Sequence, residues 1–300
     1  ANFTYGVNTI LISPRRMGKT SLVDKVCSLV ESEDIRIARI DAFGCRSEND
    51  FINAFATAVV RATSSKWEEW MENAKVFLSR FVPKISIGQD PLTDFSLALE
   101  YNAGNNTTEE VLRLPEMIAR SKGCHIVVCI DEFQQIAEYP EKGTEALLRS
   151  YIQFAQHVHF IFSGSKHHLM AEIFGSPKHP FYQSTEMMGL KPLDCSIYYD
   201  FCQNFFKQKG GNLSKETFDY IYQQFEGHTW YIQCIMNRLY ETEIQVDSIK
   251  QVNAAILSVL EGREPQFENM VQFFTENQFS LLKAIAKDSI VAQPTSGKFI

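Results

Sequence analysis

The residues best suited to phosphate chemistry lie near the start of the chain, in the run Gly18-Lys19-Thr20-Ser21. A β-branched, apolar run at residues 8–12 precedes them and predicts a buried strand. Residues 22–30 carry apolar side chains at helical spacing, which predicts an amphipathic helix. A lone Gly-Lys-Thr-Ser run occurs by chance, but a strand before it and a helix after it indicate a loop that binds phosphate groups.

Each residue type in this loop suits a particular task. A triphosphate needs backbone N–H donors, and the first turn of a helix adds roughly half a positive charge. Gly18 lets the backbone approach the phosphates, Lys19 reaches the β- and γ-phosphates, and Thr20 coordinates Mg²⁺. Ser13 stands where this motif has its first glycine, and it fits that turn if its φ stays negative. The predicted nucleotide-binding residues of the loop are Ser13, Pro14, Arg15, Arg16, Met17, Gly18, Lys19, Thr20 and Ser21.

Two adjacent carboxylates, Asp131 and Glu132, follow an apolar run at residues 126–130 that predicts a second buried strand. Asp131 is the predicted Mg²⁺ ligand, together with Thr20. Glu132 is the predicted general base, which would polarise the attacking water. Adjacent carboxylates at a strand end also occur in solvated turns, and the phosphate loop is what favours the catalytic interpretation.

A third apolar run, at residues 157–162, ends in Ser163-Gly164-Ser165. The run is similar to the strand of AAA-like sheets whose terminal hydroxyl or amide senses the γ-phosphate. This similarity makes Ser163 the expected catalytic hydroxyl, with Ser165 as the second candidate. An ordinary loop of small polar residues is the alternative interpretation of this run. Residues 36–42 predict a further parallel strand after the first helix.

Taken together, these motifs resemble the prokaryotic AAA/STAND ATPases that are often called the archaeal ATPase family. Its members typically carry P-R-R-x-G-K-T-S, a later h-h-h-D-E-F-Q, a strand ending in G-S, and G-H-P in a helical lid. The corresponding residues here are Pro14-Arg15-Arg16-Met17-Gly18-Lys19-Thr20-Ser21, Ile130-Asp131-Glu132-Phe133-Gln134, Ser163-Gly164-Ser165 and Gly227-His228-Thr229. The first two motifs are specific, whereas G-S and G-H are short and weak by themselves.

The resemblance implies an α/β fold, in which a P-loop NTPase (AAA-like) core with a parallel sheet is followed by a small helical lid and the start of a C-terminal winged helix domain. In AAA-like sheets, the strand that ends at Ser163 lies between the phosphate-loop strand and the strand that ends at Asp131. The expected domains are the core at residues 1–188, the lid at residues 189–264 and a truncated winged helix domain at residues 265–300.

Apolar periodicity predicts the elements of these domains. It predicts a helix at residues 51–71, two exposed strands or a hairpin at residues 82–88 and 94–100, and a helix at residues 109–122. The predicted lid helices are residues 197–209, 214–225, 230–242 and 248–261. Residues 277–286 resemble the first helix of a winged helix domain, and its next helix is expected from residue 295.

For function, the resemblance implies binding of ATP with Mg²⁺ and slow hydrolysis, with His228 as a further nucleotide contact. Thr229 replaces the family's proline, and the chain is expected to begin after the family's Gly-Arg box. After Ser165, the basic residues near the expected arginine finger are Lys178 and His179, with Arg149 as an alternative. A homo-oligomer or a protein partner is therefore expected to supply the finger.

Composition bounds the remaining classes. The net charge of −7 gives no global electrostatic reason to bind nucleic acid, and no run approaches the ~18–20 apolar residues that cross a membrane. The seven cysteines contain no C-x-x-C pair, which favours buried thiols in a reducing cytoplasm over disulfides or a zinc site. The start of the chain shows no signal-peptide pattern.

Three functions stay open at this point. An ATP-driven switch ATPase leads, and a DNA-binding regulator that acts through the winged helix and is tuned by nucleotide is the alternative. A small-molecule kinase is a distant third, because Asp131-Glu132 and the predicted lid suit an ATPase better. The preference for adenine over guanine rests on the resemblance, and the sequence contains no N-K-x-D guanine-reading motif.

Overall fold

The structure is a computed structural model that describes residues 7–64, 82–87, 95–100 and 107–288. The chain divides into two units, Ala1–Lys191 and Pro192–Ile300. The strands of the first unit are β1 (Thr9–Ile12), β2 (Ile35–Asp41), β3 (Val82–Ile87), β4 (Phe95–Glu100), β5 (His125–Asp131), β6 (Val158–Gly164) and β7 (Glu186–Gly189). Its helices are α1 (Lys19–Val30), α2 (Glu48–Ala62), α3 (Thr107–Lys122), α4 (Thr144–Ile152) and α5 (His167–Gly175).

Five of these strands form one parallel sheet in the order β2-β5-β6-β1-β7. Strands β1, β5 and β6 are buried along nearly their whole length, as expected for a parallel sheet covered on both faces. Strand β6 lies between β5 and β1, which confirms the placement that the resemblance implied.

The edge strand β7 was not predicted. Its four residues, Glu-Met-Met-Gly, are exposed, and they show neither apolar alternation nor β-branched side chains. It is a strand because its backbone pairs with β1, from Thr9↔Glu186 to Ile12↔Gly189. Pairing of this kind depends on tertiary contact rather than on local propensity.

Of the two alternatives for residues 82–88 and 94–100, the paired one is observed, since β3 and β4 pair in antiparallel register from Val82↔Glu100 to Ile87↔Phe95. The helix expected at residues 51–71 is observed as α2, which ends at Ala62; residues 65–71 of that prediction lie outside the described part of the chain.

The sheet separates two apolar layers, because alternate residues of a strand point to opposite faces. On one face, helices α2 to α5 cover Ile10, Ala38, Val128 and Phe162 among others. On the other face, Cys27 of α1 packs against strand residues that include Val127 and Ile161.

Helix α1 carries two apolar stripes rather than one. Its inner stripe is Val23, Cys27 and Val30, which pack against the sheet. Leu22, Val26 and Leu29 form an outer stripe and are exposed. The cysteine is therefore a core residue of α1, and the leucines that marked the helix in the sequence lie outside this core.

The second unit is helical around one apolar cluster, in which Phe206, Phe218, Ile232 and Val252 are buried. Its helices are α6 (Cys195–Gln208), α7 (Lys215–Gln224), α8 (Thr229–Thr242), α9 (Ile249–Glu261), α10 (Glu264–Val271) and α11 (Glu276–Asp288). Two short strands, β8 (Asn212–Leu213) and β9 (Gln245–Val246), pair in parallel.

Side-chain caps explain where several of these helices begin. Asp194 accepts hydrogen bonds from the first-turn amides of α6, and Ser214 does the same for α7. Ser248 and Gln251 form a capping box at the start of α9. The helices predicted for this segment are confirmed within one or two residues at each end, and α11 covers the helix predicted at residues 277–286. The helix expected from residue 295 lies outside the described residues.

All seven cysteines are free thiols, and five of them are buried. Within the described ranges, no helix combines the length and apolarity needed to cross a membrane.

Candidate functional site

The site forms where the carboxyl ends of β1, β6 and β5 meet the start of α1. The register pairs Ile12 with Gly164 and Ile130 with Phe162, so Asp131 and Ser163 lie at the level where the loop leaves β1. Polar residues that follow neighbouring parallel strands share one crevice, which is where ligands bind in open α/β sheets.

Two residues of the loop have left-handed backbone conformations. Gly18 has φ 88° and precedes α1, and Arg16 has φ 65°. Such residues turn successive N–H groups toward one concave side, an arrangement that binds anions. Gly18 adopts this conformation readily, whereas for a non-glycine residue such as Arg16 it costs about 1–3 kcal/mol of conformational free energy. Ser13 is not among the residues with positive φ, so it meets the condition for replacing the motif's first glycine.

The first turn of α1 is open to an anion. The first turn contains no acidic residue, and its cap residue, Gly18, has no side chain that could bond the amides of that turn. The unpaired N–H groups and the positive end of the helix dipole therefore face the loop. No side chain of the first turn or of the cap residue competes with an anion for them.

Lys19 is the buried cation of the site, with only 7% of its surface exposed. Its Nζ lies 3.5 Å from Asp131 Oδ1 and 3.8 Å from Glu132 Oε1. One ammonium thus faces both carboxylates from the phosphate loop, which joins the two sequence motifs into one site.

The Asp131 carboxylate is held as an anion by several donors. Thr20 Oγ1 donates to Oδ2 at 2.8 Å, Ser163 Oγ donates to Oδ1 at 2.5 Å, and the Glu132 backbone N–H donates to Oδ1 at 2.9 Å. Burial alone would raise the pKa of Asp131, but the hydrogen bond from Ser163, the charge of Lys19 and the hydrogen bond from Thr20 together lower it.

Glu132 uses its two carboxylate oxygens differently. Oε2 accepts from Gln134 Nε2 at 2.5 Å and from Ser165 Oγ at 2.8 Å, while Oε1 faces Lys19. The backbone of Glu132 has φ 50°, which is uncommon for residues other than glycine, asparagine and aspartate. Local strain of this kind clusters at functional sites.

The remaining loop residues differ in how they face solvent. Pro14, Arg15 and Arg16 are exposed, whereas the Met17 side chain is buried. Arg15 Nε donates to Ser165 Oγ at 3.3 Å, which ties the loop to the end of β6. Thr20 and Ser21 are exposed at the start of α1, where a bound phosphate chain would run.

Ser163 and Ser165, the two candidates at the end of β6, both contact the acidic pair. Ser163 bonds Asp131 and Ser165 bonds Glu132. Their hydroxyls are thus close to the two carboxylates, and the role of Ser163 as a γ-phosphate sensor stays a prediction.

His228 belongs to the second unit, where it is the residue before α8. Its ring packs on Tyr231 with centroids 4.5 Å apart, and its Nδ1 is buried without a hydrogen-bond partner, as is Thr229 Oγ1. Its contact with nucleotide stays a prediction.

The three basic residues considered for an arginine finger have different surroundings. Lys178 is exposed, and the His179 ring bonds Glu145 at 2.9 Å. Arg149 lies on α4, where its Nη1 donates to Gln153 at 3.3 Å. Neither of these two contacts is with Asp131 or Glu132, and the finger itself stays a prediction.

Two residues of the site received no role from the sequence. Gln134 is 1% exposed and bonds Glu132, and Gly164 leaves the space that the Gln134 side chain occupies. The D-E-F-Q spacing was the available signal, since it places a glutamine two residues after Glu132.

Replacing Gly164 with alanine is expected to destabilise the first unit by about 1–3 kcal/mol, as overpacking does. An added Cβ would overlap Gln134 Oε1 and approach Met170 Sδ to 2.6 Å, and both side chains are buried. Thermal unfolding should show a lower midpoint, by about 2–4 °C for each kcal/mol lost.

Gly175→Ala is the matched control, because nothing lies within 4 Å of a Cβ at that position and its φ is not positive. Equal unfolding midpoints for Gly164→Ala and Gly175→Ala would contradict the close packing around Gln134.

The site fits a nucleotide with Mg²⁺ by its own chemistry. An exposed hydroxyl, Thr20 Oγ1, and an ionised carboxylate, Asp131, lie 2.8 Å apart beside an open helix N-terminus. Mg²⁺ prefers oxygen ligands and is usually bound through one or two carboxylates plus substrate phosphates.

Comparison with known proteins agrees with this geometry. A family model described as "ATPase domain predominantly from Archaea" matches residues 8–235, and a winged helix domain model matches residues 265–300. A comparison with curated proteins gave no significant match.

Similar solved structures share the fold at low sequence identity. The Walker-type ATPase PABY2304 of Pyrococcus abyssi is 17% identical, with a TM-score of 0.59 over 88% of this chain and 69% of that one. The ORC2 protein of Aeropyrum pernix, solved in ADPNP-ADP complexes, is 13% identical, with a TM-score of 0.58 over 97% of this chain and 73% of that one.

Proposed function

The chain belongs to the family of ATPase domains found predominantly in Archaea, and from that premise we propose that it is a Mg²⁺-dependent AAA/STAND-type ATPase that acts as a nucleotide switch. One observation carries the proposal. Lys19, Thr20, Asp131 and Glu132, which two separate motifs supply, meet around one point at the open end of α1.

Binding follows from the loop and from Lys19. The N–H groups of residues 13–21 would receive the phosphate chain, and Lys19 would turn from the two carboxylates to the β- and γ-phosphates. Thr20 and Asp131 would hold Mg²⁺, which when bound offsets phosphate charge and orients the γ-phosphate.

Hydrolysis would use Glu132 as the base. A water attacks the γ-phosphorus and gives its proton to Glu132 Oε1, while the bond from the γ-phosphorus to the β–γ bridging oxygen breaks to release ADP and phosphate. The Asp131 carboxylate beside it would remain available to hold Mg²⁺, because the donors around it disfavour its protonation. Ser163, which bonds Asp131, would hold that carboxylate in place.

The switch part of the proposal concerns partners and the second unit. Residues 189–264 would act as a lid that responds to nucleotide through His228. A second copy or a protein partner would supply an arginine finger. Without the finger, kcat would be about 10³–10⁵-fold lower than with it. Lys178, His179 and Arg149 are the candidate residues for such a contact from a second copy. We place the protein in the cytoplasm.

A second candidate function is a DNA-binding regulator tuned by nucleotide, which would act through the winged helix domain matched at residues 265–300. It is the weaker candidate, because the site residues argue for phosphate chemistry and the net charge is −7. Salt-sensitive binding of duplex DNA by the full chain would support it.

Wild-type protein is expected to bind ATP and release phosphate with Mg²⁺ present, and to lose turnover when EDTA removes the metal. The loss follows because Thr20 and Asp131 position the γ-phosphate only through the ion. Phosphate release with and without EDTA, together with binding of a fluorescent ATP analogue, measures both properties.

Restoring Mg²⁺ in excess of EDTA is the control, and it should bring turnover back. Turnover that persists in EDTA would contradict the metal role of Thr20 and Asp131. A wild-type protein that binds no ATP at all would contradict the ATPase proposal as a whole.

A further inference from the structure

The two oxygens of the Glu132 carboxylate have separate surroundings. Oε2 accepts two hydrogen bonds, from Gln134 Nε2 at 2.5 Å and from Ser165 Oγ at 2.8 Å. Oε1 is directed to Lys19 Nζ, 3.8 Å away, which is the group that would meet the phosphates. One oxygen is thus held by the protein, and the other faces the reaction.

Gln134 is built into this arrangement rather than resting against it. Gln134 is 1% exposed, and it is the second residue of the short 3-10 turn Phe133–Glu138, which follows Glu132. The chain keeps a glycine at position 164, where any Cβ would overlap the Gln134 amide oxygen. The neighbouring strand end therefore leaves a space that the side chains of Gln134 and Met170 share.

The orientation of the Gln134 amide also depends on the carboxylate. Its Oε1 is buried without a hydrogen-bond partner, a state that costs about 1–3 kcal/mol. Exchanging the amide oxygen and nitrogen would not help, because it would place an oxygen against Glu132 Oε2 and remove a donor. An unsatisfied buried atom that persists in this way calls for a functional explanation.

We propose that Gln134 is a positioning residue that fixes Glu132 so that Oε1 points to the attacking water. Ser165 is the second donor to the held oxygen, and because it also accepts from Arg15 at 3.3 Å, it joins the phosphate loop to the base. This inference rests on the proposed ATPase function and adds how the base of that reaction is oriented.

Gln134→Leu is the test, because leucine is of similar size and removes the donor. The kcat for ATP hydrolysis should fall about 10- to 100-fold, since a misplacement of about 1 Å in a positioned group can cost about 100-fold. The KM and the Kd for ATP should change less than about threefold, because Gln134 lies beyond the phosphate loop. Gln135→Leu is the matched control: this neighbouring glutamine bonds Glu138 instead, and its replacement should leave kcat unchanged.

Ser165→Ala provides a second variant with the same expected division between kcat and KM. It removes only a hydroxyl, so it reports on the held oxygen even if Gln134→Leu folds poorly. In a Glu132→Gln background, neither replacement should lower the single-turnover rate further, because residues that act through one group are not additive.

Gln134→Leu and Ser165→Ala proteins that are folded and hydrolyse ATP at the wild-type rate would overturn the inference. A parallel rise in KM, or a further loss of rate in the Glu132→Gln background, would overturn it as well by assigning these residues to binding or structure. If wild-type protein binds ATP with Mg²⁺ and never hydrolyses it, the proposed ATPase function fails, and the positioning role fails with it.

Discussion

The Lys19→Ala variant is expected to bind ATP at least about 30-fold more weakly than wild-type protein, and up to several thousand-fold. Lys19 is the buried cation that faces both carboxylates, so its removal takes away the ammonium that would pair with the phosphates. Loss of one partner of a buried charge pair costs about 2–5 kcal/mol, and each ~1.4 kcal/mol is a tenfold change in Kd.

Isothermal titration with a non-hydrolysable ATP analogue and Mg²⁺ measures this change directly. Lys25→Ala is the matched control, because Lys25 lies on the same helix, carries the same charge and is exposed. Thermal unfolding of each apo variant separates loss of binding from loss of folding, since Asp131 and Glu132 lose their shared cation in Lys19→Ala. Wild-type affinity in a folded Lys19→Ala protein would contradict the assignment of the phosphate loop.

In contrast to Lys19→Ala, the Glu132→Gln variant is expected to bind ATP as strongly as wild-type protein, while its kcat falls about 10²–10⁴-fold. That range is the usual contribution of a general base. The amide oxygen of glutamine can still accept from Gln134 and Ser165, so the local arrangement is kept. The atom facing Lys19 becomes an NH₂ group, which cannot take a proton from water.

Burst and steady-state phosphate release, with ATP binding measured in parallel, test this variant. Glu138→Gln is its control, because Glu138 is exposed on the same turn and pairs with Lys166 at 2.6 Å, on the surface. Turnover by Glu132→Gln at the wild-type rate would remove Glu132 from the role of base, whereas failure to bind ATP would make it a binding residue.

Much of the fold could be read from local pattern. Residues of strands β1, β5 and β6 form apolar runs because both faces of a parallel sheet are buried, and such runs are visible in any window of the sequence. The helices of the second unit were placed within one or two residues because caps such as Ser214 and Ser248 are themselves local signals.

Other features had no local signal. Strand β7 is a strand only because β1 offers it hydrogen-bonding groups, and its residues do not favour the conformation by themselves. The two stripes of α1 have the same helical spacing, and contact with the sheet alone decides that Val23, Cys27 and Val30 are the inner one.

For the site, the sequence by itself determined the chemistry: a glycine, a lysine and a hydroxyl at a helix start, and a pair of carboxylates at a strand end. Their types and spacing suit a phosphate and a metal ion wherever they occur, because these preferences belong to the groups themselves. That is why residue type and spacing were enough to single out Lys19, Thr20, Asp131 and Glu132.

Only the tertiary structure decided how these groups are arranged. It set Ser163 on Asp131 and Ser165 on Glu132, and it placed Gln134 in the space that Gly164 leaves. These contacts join residues about thirty positions apart, through a strand order and register that no local pattern encodes. The physical reason is that a hydrogen bond forms only when the donor and acceptor are placed to within a few tenths of an ångström. The packing of the whole sheet fixes that placement.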